Sequence, residues 1–202
     1  MTAEPTDGTD NARRRRERRE AGGRRSDERW QAVLRSAAAV FRRDGFAGAR
    51  LEDVAAEAGV NRATLYYYVG TKDELLVALL TGPALEMTAH CLQARDADLP
   101  ADAKLTAVLR AYVADLAAHP ELFLLFSENI GQVLSGPAGD ELTANADAYV
   151  GAVAAIVDEG VQTGVLRADL ESRLLVAAVL GAFNWIHRWF VPGGRRSLAE
   201  IG

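Results

Sequence analysis

The chain has 202 residues, 49% of them hydrophobic, enough for one medium domain or two small ones sharing a helix. Its formal charge of −5 is unevenly spread: residues 1–80 carry 15 basic against 13 acidic side chains, a net +2, and residues 81–202 carry 8 against 15, a net −7. That asymmetry argues against a general nucleic-acid or anionic-membrane coat and puts the basic surface at the N-terminal end. No apolar run reaches the length of a membrane span, and the arginine-rich N-terminus lacks the apolar segment of a secretory signal. The single cysteine, Cys91, allows no internal disulfide, which fits a reducing, cytoplasmic setting.

Residues 1–25 read as a polar, basic arm. TAEPTDGTDN is turn-rich, ARRRRERREAGGRR is a charge run, and neither can bury enough apolar surface to order itself. The plain reading is a solvated tail; beside a DNA-binding domain it would track phosphates or reach a minor groove. Ser26 is a good N-cap for the first helix, with Asp27 and Glu28 suited to its positive end. Trp30, Val33, Leu34, Ala37, Ala38 and Phe41 then keep one face apolar as far as Gly45, and Phe46 begins a turn.

Residues 51–76, LEDVAAEAGVNRATLYYYVGTKDELL, are the most informative stretch. Leu51, Val54, Ala55 and Ala58 recur at helical spacing, with Glu52, Asp53 and Glu57 on the other side. Gly59 can stop that helix in a left-handed conformation. Asn61 stands where an N-cap belongs, and residues 62–69 form a second helix with Leu65 and Val69 inward. Two short helices joined by a glycine-containing turn are a helix-turn-helix. Phe41, Phe46, Val54 and Leu65 are its expected core. Arg62, Thr64, Tyr67 and Tyr68 are expected on the exposed face, as donors suited to base edges and phosphates. Thr71 caps a further helix, with Asp73 and Glu74 in its first turn. Gly82-Pro83 is expected to kink or restart that helix, as a hinge or as a static bend.

The segment GFAGARLEDVAAEAGVNRATLYYYVGTKDELL resembles the N-terminal DNA-binding domain of the TetR family of transcriptional regulators, over residues 29–80. The resemblance implies an all-α protein: a three-helix helix-turn-helix domain (26–81) after the arm, then a helical effector-binding and dimerisation domain (82–202). It implies that Asn61, Arg62 and Thr64 face DNA and that Tyr67, Tyr68 and Lys72 contact its backbone. Tyr66 takes a bracing role. Arg50 stands where a capping Thr or Ser is usual; it cannot cap in that way but could add a phosphate contact. Val69 stands where Phe is usual, which removes some core volume.

Helices are then expected at about 84–95, 102–118, 121–134, 140–163 and 170–191, separated by Pro100, His119-Pro120, the 136–139 turn and Gly164. Met87, His90, Cys91, Tyr112, Phe123, Phe126, Asn129, Phe183 and Asn184 are candidates for an effector pocket, with plain core as the alternative. Small residues and tryptophans line one side of the last two long helices: Ala148, Ala152 and Ala155, then Ala178, Ala182, Trp185 and Trp189. The alternative to a dimer seam is an intramolecular core; the resemblance implies a homodimer through these two helices, matching a palindromic operator. HRWFVPGG at residues 187–194 is similar to a segment of TetR-family regulators of lipid and steroid catabolism that respond to acyl-CoA thioesters; it also reads as a simple helix stop.

The expected function is a dimeric repressor of double-stranded operator DNA, released by a small hydrophobic effector, with an acyl-CoA-type metabolite as one candidate class. No cofactor, metal or membrane partner is expected. An enzyme is disfavoured: the three histidines lie far apart, no zinc-ligand spacing or phosphate loop is present, and His90 and Cys91 diverge by about 100° on a helix. An adaptor that has lost DNA binding is disfavoured by the full set of Arg62, Thr64, Tyr67 and Lys72.

Overall fold

The computed structural model describes residues 13–15, 17, 23–135 and 139–186. Among them every regular element is a helix: α1 Gly23–Gly48, α2 Leu51–Glu57, α3 Arg62–Tyr68, α4 Lys72–Asp96, α5 Ala101–Ala118, α6 Pro120–Ser135, α7 Asp140–Gln162 and α8 Ser172–Trp185. The chain divides into two compact units, one of Met1–Thr81 with Leu125–Leu142, the other of Gly82–Leu124 with Thr143–Gly202.

The first unit is organised by α1. Its inward face buries Trp30, Val33, Ala37, Val40 and Phe41, while Leu34 and Ala38 are only half-buried. The helix begins at Gly23, so Ser26 lies inside it and is not its cap. Gly45 breaks the helical path at φ 69, a conformation that costs glycine little. The break folds Phe46 back onto Phe41, edge to face at 5.3 Å. Phe41, Phe46, Val54 and Leu65 are all buried. At the start of α2 the Arg50 side chain makes no cap bond, while the Arg50 backbone N–H donates to Asp53 Oδ2 at 3.2 Å, the return half of a capping box. Gly59 turns at φ 64, and Asn61 caps α3, its Oδ1 accepting from Thr64 N at 2.7 Å. Thr71 Oγ1 accepts from Glu74 N at 3.1 Å at the head of α4.

The arm expected to be without structure contributes to this unit. Residues 13–15 and 17 are helical, and the Arg15 guanidinium pairs with both Glu74 oxygens at 3.1 and 3.2 Å. Both side chains are mostly covered, so this pair is screened less than a surface one. The rest of residues 1–22 lies outside the described residues.

The expected interruption at Gly82-Pro83 does not stop α4, which continues from Lys72 to Asp96 with Pro83 inside it. Proline removes one helical N–H there, and α4 is anchored on its N-terminal side by buried Leu75, Leu76, Val77, Leu79 and Leu80. Contrary to the expectation from apolar runs, α4 has the length and mean hydropathy, 1.5, of a membrane span. Those buried leucines account for much of that hydropathy; they are core side chains of the first unit.

The second unit packs Cys91, Val108, Tyr112, Val113, Leu116, Tyr149, Ala152, Val153, Ile156, Val157 and Ile186 into one apolar cluster. One charge enters it: Lys104, whose side chain is 9% exposed, donates to both Glu159 oxygens at 2.7 and 3.0 Å and so joins α5 to α7. A buried ammonium is tolerated only with such a partner.

Candidate nucleic-acid interface

The surface begins with α2 and α3. Ala55 is buried at the start of the turn through residues 58–61, where Gly59 permits the reversal. Leu65, Tyr68 and Val69, spaced i, i+3, i+4, bury the inner side of α3. The other side carries Arg62, Ala63 and Tyr67 exposed, with Thr64 half-buried. Arg62 is held on two sides: a guanidinium nitrogen lies 3.2 Å from Glu52 Oε1 on α2 and 3.4 Å from the Tyr66 hydroxyl, and the cation sits 5.1 Å from the Tyr66 ring centre. An exposed pair of this kind contributes little to stability, but it limits the directions the guanidinium takes.

An open hollow of about 570 Å³ runs between the start of α1 and α3, lined by Ser26, Arg29, Asn61, Ala63, Thr64, Tyr67 and Tyr68. Arg29 and Ser26 were missed by sequence reasoning. The available signal was Arg29 preceding the apolar stripe on the exposed side of α1.

Two expected contact residues, Tyr68 and Lys72, sit differently. Tyr68 is 6% exposed; its ring stacks on Trp30 at 5.3 Å and its hydroxyl meets Ser26 Oγ at 3.2 Å. It therefore braces the domain, the role expected of Tyr66, whereas Tyr66 is half-buried and carries Arg62. Lys72 is taken up within the domain: Nζ donates to the carbonyls of Phe46, Ala47 and Ala49 and lies 4.6 Å from the Phe46 ring centre. Its ammonium binds orphan carbonyls in the last turn of α1 and just past it. Arg50 is exposed beside α2.

The expected pocket residues do not form one group. Met87, Cys91, Tyr112 and Phe123 belong to the cluster of the second unit, with Tyr112 and Phe123 edge to face at 5.3 Å. Burial pushes the Cys91 thiol up to about 11 and the Tyr112 hydroxyl up to about 12, so both stay protonated at neutral pH. His90 is exposed instead, its Nδ1 3.2 Å from Asp115 Oδ2. Phe126 and Asn129 fall in the first unit, and Asn129 Nδ2 donates back along its own helix to the Leu125 carbonyl at 2.8 Å. The side chains of Phe183 and Asn184 lie outside the described residues. Thr88 and Tyr149, which sequence reasoning did not single out, are buried in the second unit with hydroxyls that make no hydrogen bond among the described residues. Among the described residues no group of three His, Cys, Asp or Glu side chains is placed to hold a metal ion.

On the last two helices, Ala148, Ala155, Ala178 and Ala182 are exposed, and Trp185 is 60% exposed. Ala152 is not part of that surface; it is 1% exposed and faces the core beside Val153 and Ile156. Trp189 and the 187–194 segment lie outside the described residues.

A capped seven-residue helix with an exposed basic and aromatic face, set after a glycine turn, is the reading half of a helix-turn-helix DNA-binding unit. Residues 33–79 match the model of bacterial regulatory proteins of the tetR family, and residues 98–202 match the tetracyclin repressor-like C-terminal domain. The chain belongs to the TetR family of transcriptional regulators. It is similar to the HTH-type transcriptional repressor NicS of Pseudomonas putida, 27% identical over 79% of this chain and 77% of that one. Among solved structures it is similar to the TetR family regulator PfmR of Thermus thermophilus, with a TM-score of 0.73 and 28% identity over 84% of this chain and 91% of that one. The fold is also that of AibR solved with isovaleryl coenzyme A and operator DNA, with a TM-score of 0.73 and 23% identity over 86% and 93% of the two chains.

Proposed function

We propose that this protein is a homodimeric repressor that reads a palindromic operator through α3 and leaves it on binding a small apolar effector. The observation that carries the reading is the exposed face of α3, with Arg62 oriented by Glu52 and Tyr66 and Asn61 held at the helix start through its Oδ1. Arg62, Thr64 and Asn61 approach base edges in the major groove; Tyr67, Arg50 and Arg29 hold the backbone, with the basic arm beside them. Tyr68 and Lys72 serve this surface from within, by fixing α3 and the end of α1.

Dimerisation is supported by the exposed apolar side of α7 and α8, where Leu174 and Trp185 stand 59% and 60% exposed among small residues. Two-fold symmetry brings two copies of α3 to successive major grooves, and an effector that favours another conformation removes that match. Repression is the activity in the name of NicS, and a coenzyme A thioester is the ligand named for AibR. These likenesses support our reading of residues 82–202 as the effector-binding part, acting in the cytoplasm, with an acyl-CoA-type metabolite as a candidate class of effector.

Selection of genomic fragments by the purified protein at about 0.15 M salt tests the reading. Enrichment of one palindrome is the expected result; no enrichment in the absence of any added metabolite contradicts it. With that operator, Arg62→Ala lowers specific affinity by about 1–3 kcal/mol. Unchanged affinity in that variant would mean that α3 is not the reader.

A further inference from the structure

The second unit contains two buried hydroxyls that the fold leaves unused. Tyr149 on α7 is 7% exposed and Thr88 on α4 is 4% exposed, and among the described residues neither Tyr149 Oη nor Thr88 Oγ1 has a hydrogen-bond partner. Thr88 is the more telling of the two. A helical threonine ordinarily donates to the carbonyl four residues back, as Thr81 does to Val77 at 2.8 Å and Thr163 to Glu159 at 2.8 Å. For Thr88 that carbonyl belongs to Ala84, and it already accepts from Asn145 Nδ2 at 3.0 Å. The Asn145 bond joins α7 to α4 at Ala84. Thr88 stands one turn beyond Ala84 on α4 and Tyr149 one turn beyond Asn145 on α7, and the Tyr149 hydroxyl lies near Cys91, three residues past Thr88.

The surroundings define what these hydroxyls could meet. Cys91 and Tyr112 share the buried cluster with Tyr149, and Met87 and Phe123 pack against it, so the environment is apolar. Burial, and after it the nearness of Cys91, Tyr112 and Asp115, raises the Tyr149 hydroxyl far above the usual tyrosine range. Both hydroxyls therefore keep their protons and can donate. The Asp115 carboxylate, paired with His90 on its outer side, adds negative charge nearby and disfavours a second anion.

We propose that Thr88 and Tyr149 are the polar end of an effector site, donating hydrogen bonds to the uncharged carbonyl of an otherwise apolar small molecule. The site rests on the reading of the protein as ligand-responsive and narrows it: ketones, esters and thioesters fit, and free carboxylates do not. Ligand affinity comes from the apolar body, and selection comes from the two donors, since a ligand without an acceptor leaves them buried and unpaired.

The test uses the full-length protein and methyl ketones of graded chain length beside the matched carboxylates, read as thermal midpoint against ligand concentration. The wild-type midpoint rises by several degrees with at least one ketone and less with its carboxylate. In Tyr149→Phe and in Thr88→Val the ketone binds about tenfold more weakly. The unliganded midpoint of each variant stays level or rises, because a buried hydroxyl with no partner has been removed. A lower unliganded midpoint, or failure to fold, means the hydroxyl is already bonded inside the protein and overturns the site. Carboxylates equal to ketones, or no response to any ketone, overturn it as well. Operator selection by the same preparation separates the two readings. A protein that selects a palindrome but ignores ketones loses only this site, and one that binds ketones but selects no DNA loses only the regulator assignment.

Discussion

Tyr66, Tyr67 and Tyr68 are three identical side chains that α3 sends in three directions. Each residue turns the helix by about 100°, so Tyr68 joins Leu65 on the buried side, Tyr67 faces out at 43% exposure, and Tyr66 lies between, under Arg62. The spacing of Tyr68 from Leu65 was legible in the sequence; the hydroxyl suggested an outward role because its partner, Ser26, lies 42 residues away. Lys72 carries the same lesson. Its ammonium is held by carbonyls 23 to 26 residues back in the chain. Lys72→Met is expected to lower stability by about 1.5–3 kcal/mol, the range for charge-assisted hydrogen bonds, in urea unfolding. It should leave the salt dependence of DNA binding unchanged. A salt slope smaller by about one unit would restore Lys72 as a phosphate contact.

The helices themselves were largely legible, because apolar spacing and capping act over a few residues. Asn61 and Thr71 cap as their types predict, and Gly45 and Gly59 take positive φ where turns require it. Ser26 does not cap, since the helix starts at Gly23, and Arg50 gives no side-chain cap, its own N–H being bound by Asp53 instead. Pro83 shows where local rules yield to tertiary packing. Proline in a helix interior costs about 3 kcal/mol relative to alanine, yet α4 runs through it. Pro83→Ala is therefore expected to stabilise the protein by up to about 3 kcal/mol, read from the unfolding midpoint. A destabilised variant would mean that the helix around Pro83 is shaped to need the ring.

At the scale of the whole molecule the proposed dimer places its seam on the apolar side of α7 and α8. A monomer would leave Leu174 and Trp185 largely in water beside Ala178 and Ala182. The double variant Leu174→Glu, Trp185→Glu is expected to sediment as a monomer at micromolar concentration and to lose its preference for a palindrome over a half-site. Its unfolding midpoint should remain cooperative, since neither side chain is part of the core. A variant that stays dimeric places the seam elsewhere.

The helical class, the helix-turn-helix, the family and the division of charge are all legible in the residues alone, because each depends on residue type at short spacing. Which polar groups on those helices are spent and which are left over depends on how distant segments pack. Tyr68 and Lys72 have partners far away in the chain, Ala152 turns to its own core, and Thr88 and Tyr149 are buried without hydrogen-bond partners among the described residues. Whether a side chain is satisfied depends on the segment that packs against it, and local spacing does not carry that information.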